Sequence, residues 1–71
     1  MKSTRIHFDK VGERQVDTSF IEPWGYYETA IRNPRTKNWE IQSQSQQPIE
    51  AQTAHAEAVR LCENLMHYEE R

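Results

Sequence analysis

Three side chains of this 71-residue sequence could bind a metal or serve as nucleophile and base: His55, Cys62 and His67, all in one C-terminal segment. His55 and Cys62 stand seven residues apart, two helical turns or about 10 Å along an axis, which is too far for a single ion. His67 follows Cys62 by five and points to a different side. The spacing therefore predicts one small buried thiol and two histidines at the surface or its boundary, with no metal. A carboxylate pair for acid–base chemistry needs one member whose pKa is raised by burial, and the acids here are spread along faces that read as solvated. Gly12 and Gly25 stand apart, so no glycine loop cradles a phosphate. The sequence argues for no enzyme and implies no cofactor.

Binding chemistry is better represented. The stretch YYETAIRNPRTKNWEIQ, residues 26–42, sets aromatic side chains on either side of a proline turn with the cations Arg32, Arg35 and Lys37. Such a tip could meet phosphates, and Tyr26 could stack on a base. Three cations make few phosphate contacts, however, and Glu28 and Glu40 share the outer strand face with them. That face suits a protein partner better. The residues expected to touch the partner are Trp24, Tyr26, Glu28, Arg32, Arg35, Lys37, Glu40 and Gln42, with Tyr26 as an aromatic anchor and Trp24 as either a second anchor or a cover for one end of the core. DNA binding by the hairpin tip is the alternative.

The elements that must position these residues follow from periodicity. From residue 48 the residues Ala51, Ala54, Ala58, Leu61, Leu65 and Tyr68 fall at steps of three and four, forming one helical stripe that Cys62 and Met66 widen. Pro48 suits the first helical position, and Glu50 suits the positive end of the dipole. This predicts a helix over about 48–69. Before it the period is two. Tyr27, Thr29 and Ile31 alternate with Tyr26, Glu28, Ala30 and Arg32, while Trp39, Ile41 and Ser43 alternate with Glu40, Gln42 and Gln44. Two strands, 26–32 and 38–45, form a hairpin around Asn33-Pro34, with Tyr27, Thr29, Ile31, Trp39 and Ile41 on the core face. Further strands are expected at 3–10 and 15–21, turning near Gly12. The chain reads as one α+β domain, residues 1–71: an antiparallel sheet of three to four strands with one long C-terminal helix on one face.

Composition sets the limits. With 35% hydrophobic and 28% charged residues, a chain of 71 can bury only a thin core, which favours association into a homodimer. The formal net charge is -2, so no general field draws in a polyanion. From Ile41 onward two cations face five acids. A lone cysteine suits a reducing compartment, and no apolar run reaches the ~18 residues of a membrane span, so a cytoplasmic protein without a membrane association is expected.

The segment YYETAIRNPRTKNWEIQSQSQ followed by IEAQTAHAEAVRLCENL resembles a group of small phage and prophage proteins in which a Tyr-Glu-Thr strand, a hairpin and a sheet-covering helix recur. The likeness spans about residues 26–66; Ala54-His55 stands where that group has a glycine-histidine step. The resemblance implies a phage accessory protein, located in the host cytoplasm if phage-encoded, that acts by binding and inhibiting a host defence protein. The arrangement is also similar to the three-stranded, one-helix arm-binding domains of phage integrases, which set a basic sheet face into DNA.

Overall fold

The structure, a computed structural model, describes residues 1–69. Four strands, β1 (Lys2–Val11), β2 (Arg14–Glu22), β3 (Tyr26–Arg32) and β4 (Trp39–Ser45), form an antiparallel sheet in the order β1-β2-β3-β4. The helix α1 (Pro48–Glu69) packs on one face. This is the expected α+β architecture with four strands. Each tight turn has its own chemical cause. Gly12 and Gly25 adopt left-handed φ of 62° and 73°, which a side chain would disfavour, and the Met66 sulfur closes over Gly12 from the helix. At the third turn Asn33 Oδ1 accepts from the Arg35 and Thr36 amides at 2.9 and 3.3 Å, the Asx capping that its type predicts.

Glu50 caps the start of the helix. The Gln47 amide donates to Glu50 Oε1 at 3.1 Å, so Glu50 satisfies a terminal donor as well as meeting the positive end of the dipole. The core beneath the helix is Val16, Ile31, Ala58 and Cys62, with Val11 and Val59 packed against it. It is thin, as the composition implies.

Two expectations about side-chain direction are corrected. A bulge between Thr29 and Ala30 shifts the β3–β4 register, so that Thr29 pairs with Ser43 but Ala30 pairs with Ile41 and Arg32 with Trp39. The extra residue, Gln42, reverses the alternation of β4 before it. Trp39 and Ile41 therefore lie on the open face, 44% and 58% exposed, instead of in the core. Gln42, expected on the outer face, stays exposed but borders the groove at the helix with Ser43, and Glu40, opposite Ile31, falls on the helix-covered side. The second correction concerns the helix. Its buried line runs through Ala51, His55, Ala58 and Cys62, while Leu61 and Leu65 stay 43% and 38% exposed and Tyr68 is also exposed. The helix is rotated by a fraction of one residue step from the apolar stripe, because His55 finds polar partners on the sheet that a leucine could not use.

Candidate functional site

Those partners form a buried relay. Thr18 and Thr29, directly opposed on β2 and β3, share a hydrogen bond between their Oγ1 atoms at 2.7 Å. Thr18 Oγ1 also lies 2.8 Å from His55 Nδ1, and His55 Nε2 lies 2.8 Å from Asp9 Oδ2 on β1. An ionised carboxylate only accepts, so the network places an imidazole proton on Nε2, which donates to Asp9. The His7 ring stands 5.4 Å from that of His55. His55, expected near the surface, is only 6% exposed.

An Asp–His–Thr order has the parts of a nucleophile triad. Its hydroxyl is fully buried and engaged to Thr29, so a substrate carbonyl has no approach to it. The relay's chemistry is that of a polar pin holding the helix across three strands, with every buried side-chain donor and acceptor among the described residues satisfied. Beside it a groove of about 320 Å³ is lined by His7, Asp9, Gln52, His55, Ala56 and Val59. Among the described residues no three of His, Cys, Asp and Glu converge as a metal set. Cys62 is fully buried; burial pushes its thiol above the ordinary range, Arg14 opposes that rise and Glu63 adds to it. It is a poor nucleophile.

The open face of the sheet has a different character. Register sets Phe8 opposite Asp17, Ser3 opposite Ile21, Tyr26 opposite Ile21, and Ala30 opposite both Asp17 and Ile41. A shallow hollow of about 150 Å³ among Ser3, Asp17, Ser19, Ile21, Glu28, Ala30 and Trp39 marks its middle. Arg5 Nε donates to Asp17 Oδ2 at 2.7 Å while its guanidinium sits 4.2 Å over the Phe8 ring, and Ser19 Oγ donates to Asp17 Oδ1 at 2.6 Å. Tyr26 Oη reaches Glu28 Oε2 at 3.4 Å; desolvation first, and then the Glu28 charge and this contact, raise the tyrosine pKa. The face thus joins aromatic and aliphatic side chains to charges that are already paired.

The residues expected to meet a partner are divided among separate places. Tyr26, Glu28 and Arg32 share the open face. Arg32 Nε also points to the Lys37 carbonyl at 3.4 Å, tying the tip, and Arg35 lines a 430 Å³ hollow with Glu13, Arg14, Asn33 and Pro34. Lys37 is exposed with a positive φ of 67°, and Trp24 is exposed in the β2–β3 turn. Glu40 and Gln42 are turned away from the open face. Sequence reasoning missed Phe8, Ile21, Trp39 and Ile41 as members of that face, and Asp9, Thr18 and Thr29 as partners of His55. Compared with protein-family models, curated proteins and solved structures, the chain matches none of them.

Proposed function

We propose that this protein is a non-catalytic protein-binding module whose contact surface is the open sheet face. One observation carries the reading: the β4 bulge turns Trp39 and Ile41 onto the face that no helix covers, beside exposed Phe8 and half-buried Tyr26, with Ile21 and Ala30 buried beneath them. Large apolar side chains ringed by charged groups are the composition of an interface centre and its rim. Asp17 and Glu28 near the middle of the face oppose a phosphate backbone, so the partner is read as a protein and not as DNA. The resemblance to small phage proteins supports a phage-type accessory role in which that partner is a host defence protein, blocked by binding.

Capture from a host lysate on the immobilised chain tests this. One tightly held protein should be recovered by the wild type, lost with Ile41→Glu or Trp39→Ala, and retained with Arg35→Ala/Lys37→Ala. Retention by Ile41→Glu contradicts the assignment of the face. Salt-sensitive binding to DNA that disappears with Arg35→Ala/Lys37→Ala would favour the hairpin tip instead.

A further inference from the structure

We infer that a second copy of this chain docks along β4, strand to strand and antiparallel about a twofold axis, joining two four-stranded sheets into one of eight. This rests on the β4 edge and not on the protein-binding reading above. An outermost strand presents main-chain N–H and C=O groups that only another strand satisfies as a row, and proteins usually guard such a row with lysine, proline or inward charge. In its seven residues, WEIQSQS, β4 has no lysine or proline; its guards are one inward charge, Glu40, and the bulge at Gln42. The opposite edge, β1, carries Lys2, Arg5, Asp9 and Lys10.

Both flanks of the β4 edge are apolar. On the open face stand Trp39 and Ile41. On the helix side Leu61 lines a groove of about 180 Å³ with Gln42, Ser43, Ala54, Glu57 and Ala58, and Leu65 follows one turn further along the same shoulder. Leu61 and Leu65 belong to the apolar stripe of the sequence, yet the sheet of their own chain leaves them 43% and 38% exposed. The twofold arrangement supplies what each copy lacks: a strand for the edge and a matching shoulder for the leucines. It also closes. A β1-to-β4 arrangement would be heterologous and would propagate into an open filament.

Size fits a modest, reversible dimer. The strand is about 23 Å long at ~3.3 Å per residue. With side chains of both layers the edge offers on the order of 500 Å² per copy, near the lower limit of a specific interface at ~1,000 Å² in total. The charges of this edge, Glu40 and Glu57, are alike in sign, so screening them should strengthen the contact.

Sedimentation equilibrium of the full chain over rising concentration is the test. The expected mass moves from one 8.5 kDa chain to two, and the dimer holds or tightens at about 0.5 M salt. Leu61→Lys/Leu65→Lys should stay monomeric over the same range, while Lys10→Glu on the guarded side should dimerise as the wild type does. In a wild-type sample mixing two isotope labels, contacts between copies should join β4 to β4 and leave β1 out; this needs no variant to fold. A monomer at ~1 mM, a dimer that survives Leu61→Lys/Leu65→Lys in folded protein, or copy-to-copy contacts through β1 each overturn the inference. A dimer that dissolves with Leu65→Lys while lysate capture persists would separate this contact from the proposed function.

Discussion

The two edges of the sheet are built from the same antiparallel chemistry and end differently. At β1 the strand carries Lys2, Arg5, Asp9 and Lys10, a bulge interrupts it between Arg5 and His7, and Phe8 is roofed by the Arg5 guanidinium. The helix is fastened to that side, since Asp9 holds His55 and His55 holds Thr18. At β4 the bulge does the opposite work and exposes Trp39 and Ile41. The helix leans over this edge as well, leaving Leu61 and Leu65 43% and 38% exposed. A small domain has limited apolar surface to bury, so leaving four large apolar side chains around one lightly guarded strand gives the molecule a sticky side and a closed one.

The difference between the two sides is largest at the fastening. Thr18→Val or His55→Ala strands buried polar atoms of the relay and should each cost about 1–3 kcal/mol in urea unfolding. Leu65→Ala on the leaning side, in dilute protein, should stay within roughly 0.5 kcal/mol. Equal losses from the two sides would remove the asymmetry. Next in size is alkaline loss of stability. Because burial raises the Cys62 pKa in the folded chain, unfolded chains release that proton first; its contribution is intact below about pH 8.5 and declines as pH climbs through the folded value. The decline should shrink in Cys62→Ala, measured against wild type by thermal melts between neutral and alkaline pH. Smallest is the tip. Lys37 holds a positive φ of 67°, so Lys37→Asn should gain a few tenths to about 1 kcal/mol and leave association unchanged.

Much of this architecture is legible in the residues. The change of period from two to 3.6, the turn chemistry at Gly12 and Asn33, and Pro48 with Glu50 at the helix start all mark elements that the structure contains. Tyr26, Glu28 and Arg32 fall on the outer face, as alternation requires. The direction of Trp39 and Ile41 was not readable, because an inserted residue leaves no mark of its own in WEIQSQS: with polar residues at both parities after Ile41, nothing distinguishes a regular strand from one shifted at Gln42. The rotation of the helix was hidden for a related reason. Ala51 and Ala58 belong equally to the apolar stripe and to the observed buried line, and the choice between them depends on Thr18 and Thr29, which are near only in space. A buried histidine is a three-strand property. Spacing along one helix cannot reveal it.

Backbone amide hydrogen exchange, followed residue by residue at low and high protein concentration, compares the two edges directly. Docking of a second copy at β4 should slow the amides from Trp39 to Ser45 as concentration rises while those of β1 from Lys2 to Val11 keep their rates. Concentration-independent exchange along β4, or slowing at β1 in its place, would contradict it.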